Sequence, residues 1–162
     1  MLILNTGGTF NKRYNPINGE MEVPYDNFAA EQILSKFTYD VEMAGLIYKD
    51  SLDMDSEDRK MMAKIISASD QTHFIIIHGT DTMGLTASFL DEVLDDKVII
   101  LTGSMVPFEI DPVEATSSLS MALGYAKAQE NPGVYICMQG SVGEYDRLIK
   151  NKKLGKFELV QG

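Results

Sequence analysis

The 162-residue sequence predicts a single α/β domain, with a doubly wound parallel sheet and helices on both faces. This is the three-layer α/β/α arrangement of Rossmann-like and flavodoxin-like folds. Three observations predict it: short apolar runs typical of buried strands, segments of helical spacing that alternate with them, and polar turns containing glycine at the strand ends. Strands that are apolar throughout are typical of a parallel sheet covered on both faces. We expect the flavodoxin-like strand order 2-1-3-4-5.

The individual elements follow from apolar runs and from helix-start signals. The predicted strands are 2–4, 44–48, 74–77, 97–101 and 134–138. Helices are expected from about 27 to 36, from 56 onward, from 83 to 94, and from 112 to a point before 131. The clearest start is at Asp111, because an N-cap is followed there by Pro112 at N1 and Glu114 at N3.

The segment 10–23 has no periodicity and contains the turn residues Pro16, Asn18 and Gly19. A stretch of this length without a secondary-structure pattern is typical of a lid or a binding loop. Tyr14 lies within it. The sequence leaves open whether Tyr14 is a phenol brought to a site by a lid or an exposed loop residue.

Composition and charge exclude several classes of protein. The formal net charge of −10 disfavours binding to nucleic acid or anionic lipid through bulk electrostatics. Cys137 is the only cysteine, so no intrachain disulfide is possible, and the histidines lack the spacing of a metal site. Because the chain shows neither a charged leader nor a long apolar span, we expect a cytoplasmic protein with no membrane partner.

Polar side chains follow the predicted strands where each strand ends. They are Thr9 after strand one, Ser51 and Asp53 after strand two, Thr80 and Asp81 after strand three, and Lys150 beyond strand five. The carboxyl ends of parallel strands meet at one edge of the sheet, and ligands bind there. We therefore expect Thr9 and Thr80 to face each other across a crevice at this edge.

These residue types can support nucleophilic chemistry. A hydroxyl such as that of Thr9 or Thr80 is a weak nucleophile and needs a base or a proton outlet. Lys150 beside Asp81 would serve if burial, or the proton transfer itself, offsets the preference of a paired amine for its charged form. Backbone N–H groups near Thr9 and at the start of the helix after Thr82 could stabilise an oxyanion. The alternatives are ordinary helix caps and a surface lysine.

Two of these stretches resemble a known family. Thr6-Gly7-Gly8-Thr9 and His78-Gly79-Thr80-Asp81-Thr82-Met83 resemble the two signature motifs of the bacterial-type L-asparaginase and glutaminase family. Asp50-Ser51-Leu52-Asp53-Met54 is similar to its substrate-binding segment, and Thr102-Gly103-Ser104-Met105-Val106-Pro107 to its Gly-Ser-Met-x-Pro turn. The resemblance covers most of the chain.

The resemblance implies an amidohydrolase that converts L-asparagine and water to L-aspartate and ammonia. Thr9 would be the nucleophile, Tyr14 its lid partner, and Thr80, Asp81 and Lys150 the second catalytic group. The implied substrate-binding residues are Gly8, Ser51, Asp53, Gly79, Thr80, Asp81 and Ser104. The implied partners are a small amino acid substrate and further copies of the chain in a dimer or tetramer. Neither a metal nor an organic cofactor is implied.

The sequence departs from the family pattern in three places. Family members carry a second α/β domain, so we expect residues 1–162 to form the N-terminal-type domain with the C-terminal domain absent. Leu52 stands where the family usually has glutamine, and 111–114 differs from the family's Asp-Gly-Pro-x-Asn pattern. The departures keep an alternative open: a weak or inactive homologue that binds aspartate, asparagine or a partner, as a sensor or an amidotransferase component. Nucleotide binding is disfavoured, since Gly7-Gly8 is not a Gly-x-Gly-x-x-Gly motif.

Overall fold

The computed structural model describes residues 1–160, which form one six-stranded sheet, two small hairpins and four α-helices. The strands are β1 (Leu2–Gly7), β2 (Arg13–Asn15), β3 (Glu20–Glu22), β4 (Glu42–Lys49), β5 (His73–Ile77), β6 (Val98–Thr102), β7 (Gly133–Met138), β8 (Ser141–Glu144), β9 (Leu148–Asn151) and β10 (Lys156–Leu159). The helices are α1 (Phe28–Leu34), α2 (Ser56–Ala68), α3 (Met83–Val93) and α4 (Pro112–Ala128). Short 3-10 turns cover Thr9–Asn11 and Ser51–Asp53.

The order of the main sheet is β4-β1-β5-β6-β7-β8. The first five strands are parallel and confirm the predicted order 2-1-3-4-5, together with the fold class. The sixth strand, β8, was not predicted. It runs antiparallel to β7 and is joined to it by the two-residue turn Gln139-Gly140.

The core lies in two layers, one on each face of the sheet. Successive residues of β5 alternate between them: Phe74 and Ile76 pack on the face covered by α2 and α3, and Ile75 and Ile77 pack on the opposite face. Met62, Ile66 and Leu90 belong to the first layer, and Ala30, Ile33, Leu119 and Leu123 to the second. Both faces of the central strands are therefore buried, as expected for a doubly wound sheet.

The segment after β1 is more ordered than predicted. Residues 10–23 contain the end of a 3-10 turn and the β2–β3 hairpin, in which Tyr14 is paired with Met21. The predicted turn residues lie at the hairpin tip, where the N–H of Gly19 donates to the carbonyl of Asn15. Strands of three residues on an exposed hairpin bury no apolar face, so they leave no alternating pattern in the sequence.

Helix α4 begins as predicted, with one difference. Asp111 accepts a hydrogen bond from the N–H of Val113, and Pro112 occupies the first helical position. The carboxylate of Glu114 reaches away from the helix and accepts the N–H groups of Met105 and Val106, at 2.9 and 3.1 Å. Helix α4 thus holds the turn after β6 in place.

Glycines allow the loops at the carboxyl edge of the sheet to touch. A Cβ at Gly8 would lie 2.4 Å from the backbone nitrogen of Gly79, and a Cβ at Gly79 would lie 2.6 Å from the Cβ of Ser51. The loop after β5 is therefore in close contact with the loop after β1 at Gly8 and with the loop after β4 at Ser51. None of the helices in residues 1–160 is long and apolar enough to cross a membrane.

The close approach at Gly8 gives a stability prediction. Gly8 has a φ of +75°, and a methyl group there would clash with backbone atoms. We expect Gly8→Ala to lower the free energy of unfolding by at least about 2 kcal/mol in urea titrations. The matched control is Gly124→Ala in α4, where no atom lies within 4 Å of the added Cβ. That change should stabilise by up to about 1 kcal/mol. Equal stability of Gly8→Ala and wild type would contradict the backbone contact.

Candidate active site at the carboxyl edge of the sheet

The ammonium of Lys150 joins two residues of the loop after β5. Its Nζ donates to Thr80 Oγ1 and to Asp81 Oδ1, each at 2.8 Å. The Lys150 side chain is only 13% exposed, Thr80 is buried, and the Asp81 carboxylate remains 39% exposed. A hydroxyl, a carboxylate and an amine are therefore held together, with the carboxylate open to solvent.

Thr9 and Ser51 lie on the two loops packed against this group. Gly8 donates its N–H to the carbonyl of Lys49 at 2.9 Å, which fixes the start of the Thr9–Asn11 turn against the end of β4. Ser51 is buried, and its carbonyl accepts the hydroxyl of Thr82 at 2.8 Å. Because Gly8 touches Gly79, Thr9 and Thr80 follow adjacent stretches of backbone. That they face each other across a crevice stays a prediction. Thr9 itself is partly exposed.

An ion pair not singled out in the sequence ties the loops after β1 and β4 together. Lys12 Nζ lies 2.6 Å from Asp50 Oδ2, and Asp50 Oδ1 accepts the N–H of Leu52. Partial burial by itself raises the pKa of Asp50, but the hydrogen bonds from Lys12 and Leu52, with the charges of Lys12 and Lys150, lower this pKa overall. Asp50 thus stays ionised beside Ser51. Thr9 lies between the two places where these loops are joined.

In the described part of the chain, three other predicted site residues have no hydrogen bond to the Lys150–Thr80–Asp81 group. Tyr14 is 55% exposed on the β2–β3 hairpin, and its N–H donates to the carboxylate of Glu109 at 2.7 Å. Asp53 is exposed at the end of its 3-10 turn. Ser104 is fully buried and donates its hydroxyl to the carbonyl of Val106 at 2.6 Å, so this hydroxyl is used within the turn. Their roles in binding or catalysis stay predictions.

Comparison with known proteins matches this chain to one family. The family described as asparaginase, N-terminal, matches residues 1–157. The chain belongs to this asparaginase family. The resemblance inferred from the two threonine motifs is confirmed, and both motifs lie at the sheet edge described above.

Individual asparaginases are similar over different lengths. L-asparaginase 1 of Escherichia coli is 47% identical over 62 residues, which is 36% of this chain and 18% of that protein. The L-asparaginase of Thermococcus kodakarensis is 28% identical over 160 residues, which is 96% of this chain and 48% of that protein. The present chain thus spans at most about half the length of these relatives.

Solved structures show the same fold. The thermostable L-asparaginase of T. kodakarensis superposes with a TM-score of 0.84 at 25% identity, over 98% of this chain and 50% of that chain. A probable cytoplasmic L-asparaginase from Campylobacter jejuni superposes with a TM-score of 0.73 at 26% identity, over 92% of this chain and 48% of that chain.

In this asparaginase-family chain, His78 holds the backbone just before Thr80 by a hydrogen bond from the protein interior. It is buried, with Nδ1 2.7 Å from the carbonyl of Gly79 and Nε2 2.8 Å from Thr86 Oγ1. Since a carbonyl can only accept, Nδ1 carries the proton and Nε2 accepts the Thr86 hydroxyl. Arg59 Nε also donates to Thr86 Oγ1, at 3.0 Å. The neutral imidazole therefore fixes the carbonyl of the residue before Thr80.

No site for a metal ion is evident in the part of the chain that the structure describes. Within residues 1–160, no cluster of three or more histidine, cysteine, aspartate or glutamate side chains is placed to hold one. The polar groups at the edge of the sheet are paired instead with one another or with backbone, as in the Lys150–Asp81 and Lys12–Asp50 pairs.

The burial of His78 predicts a pH dependence. Burial lowers the pKa of His78 from 6.5 to about 4, so the unfolded chain takes up the proton first as the pH falls. The stability that neutral His78 contributes is complete above pH 6.5 and is lost between pH 6.5 and about 4, by about 3 kcal/mol. An imidazole NMR titration, assigned with a His73→Gln variant, should show His78 protonating near pH 4. Protonation near pH 6.5 would contradict the burial of a neutral His78.

Proposed function

We propose that this chain hydrolyses L-asparagine to L-aspartate and ammonia, with Thr9 as the nucleophile. The observation that carries the proposal is the Lys150–Thr80–Asp81 group, whose Thr80 and Asp81 lie on the loop that touches the Thr9 loop. Family membership adds to it, because L-asparaginases are among the matched relatives. Cofactors are not part of the proposed reaction.

The proposed reaction has two covalent steps. In the first, Thr9 Oγ1 attacks the side-chain amide carbon, the C–N bond breaks, and the threonine proton leaves with the nitrogen as ammonia. In the second, water attacks the resulting aspartyl ester, and its protons restore the Thr9 hydroxyl and release the acid. Thr80 would relay a proton in either step, and its hydrogen bond with Lys150 supports this role. Backbone N–H groups near Thr9 would stabilise the oxyanion.

The solvent-open carboxylate of Asp81 favours a substrate with an ammonium group, such as an amino acid. The half-exposed carboxylate of Asp81 would bind the α-ammonium, and Ser51 on the facing loop would bind the α-carboxylate. Gly8 and Gly79 would line the crevice with backbone, while Asp53, Ser104 and Tyr14 complete the proposed set. Leu52, 68% exposed on the same loop, offers an apolar side chain where the family usually has a glutamine.

A second copy of the chain would close the pocket. Apolar side chains stay exposed around the crevice, including Leu52, Leu85 at 66% and Ile149 at 46%. We therefore propose a homo-oligomer of this chain, a dimer or tetramer that acts in the cytoplasm on a small amino acid, without a nucleic acid or membrane partner. Family membership does not favour the alternative of an inactive binding homologue.

Ammonia release from L-asparagine and L-glutamine tests the proposed residues. Thr9→Val removes the nucleophile and should lower the rate by about a thousandfold or more. Lys150→Met removes the amine that holds Thr80 and Asp81 and should lower the rate by about 10²- to 10⁴-fold. The matched control is Lys153→Met, an exposed lysine on the same hairpin, which should keep the wild-type rate. Equal rates for Thr9→Val and wild type would end the proposal.

A further inference from the structure

The hairpin that carries Lys150 is joined to the main sheet by few hydrogen bonds. Strands β9 and β10 pair only with each other. Within residues 1–160, the hydrogen bonds from this hairpin to the rest of the chain are those of the Lys150 ammonium and one from the N–H of Phe157. The buried side chains of Leu148 and Phe157 pack the hairpin into the first core layer. The position of Lys150 therefore depends on how this hairpin is anchored.

The second polar anchor is the side chain of Gln139. The N–H of Phe157 donates to Gln139 Oε1 at 2.9 Å. Phe157 is the residue directly opposite Lys150 in the β9–β10 pair, so the two side chains leave the same face of the hairpin. Both line a cleft of about 240 Å³ together with Thr80 and Asp81.

The backbone of Gln139 makes this contact unexpected. Gln139 has a φ of +51°, and it is the one non-glycine residue with positive φ in the described part of the chain. It forms the β7–β8 turn with Gly140, whose φ is +82°. A two-residue turn with positive φ at both positions favours asparagine or glycine, and glutamine is strained there. The turn alone does not explain a glutamine.

We propose that Gln139 is a positioning residue for Lys150. Its amide oxygen fixes the backbone of Phe157, and through the ladder pair Phe157–Lys150 it sets where the ammonium meets Thr80 and Asp81. The strain of the left-handed backbone is offset by a function that a shorter or absent side chain does not supply. This inference rests on the proposed function only in its effect on catalysis, since the placement of Lys150 can be measured without turnover.

Three variants separate the hydrogen bond from the turn. Gln139→Gly and Gln139→Asn suit the left-handed backbone but do not place an oxygen at Phe157, because one has no side chain and the other is one methylene shorter. Gln139→Glu keeps the side-chain length and an acceptor oxygen. The readouts are melting temperature, kcat and KM for L-asparagine, and the acetylation rate of each lysine by mass spectrometry. Exposed Lys152 and Lys153 on the same hairpin serve as internal controls.

The inference predicts opposite changes in stability and activity. Gln139→Gly and Gln139→Asn should melt no lower than wild type, yet kcat should fall about tenfold with KM within about twofold. Lys150 should be acetylated about tenfold faster, with the rates of Lys152 and Lys153 unchanged. Gln139→Glu should stay within about twofold of wild type in each readout.

Two results would overturn the inference. One is wild-type kcat and wild-type Lys150 acetylation in Gln139→Gly. The other is a lower melting temperature with faster acetylation of all lysines alike, which would show a role in stability alone. If wild-type protein releases no more ammonia than Thr9→Val, the proposed function fails by itself, and Lys150 acetylation still decides the role of Gln139.

Discussion

The two hydrogen bonds of Lys150 to Thr80 and Asp81 are the contact on which the site depends. They join a hairpin outside the main sheet to the loop after its central strand. The amine is largely removed from solvent but has both an oxygen of a carboxylate and a hydroxyl as partners, so its burial leaves no unpaired charge. An arrangement of this kind fixes donors and acceptors before a substrate arrives, which is the main source of electrostatic catalysis.

The loops at this edge of the sheet can touch because glycines, which have no side chain, lie where they meet. Gly8 against Gly79, and Gly79 against Ser51, allow approaches that any larger side chain would block. His78 holds the loop from below through the carbonyl of Gly79, and the Lys12–Asp50 pair holds the Thr9 loop from the side. The fold and the site therefore depend on the same residues, since the glycines that let the loops touch also position the proposed nucleophile.

The sequence predicted those parts of the fold and the site that follow from local patterns of apolar and polar residues. The five parallel strands, their order and the polar residues at their ends come from apolar runs and from the geometry of parallel sheets. Hairpins β2–β3 and β9–β10 were missed, because strands of three or four residues are too short to show a clear alternation. The contacts of Lys12 with Asp50 and of Gln139 with Phe157 join residues 38 and 18 positions apart. Such contacts depend on tertiary placement, which a single sequence does not encode as a local pattern.

Trapping of the covalent intermediate tests directly whether Thr9 is the nucleophile. The protein would be mixed with L-asparagine, quenched in acid within one turnover and digested with trypsin, and the peptide that ends at Lys12 would be sequenced by mass spectrometry. We expect one aspartyl ester on Thr9, absent from a Thr9→Val sample treated in the same way. An ester on Thr80 instead, or ammonia release with no ester on either threonine, would contradict the assignment of Thr9 as the nucleophile.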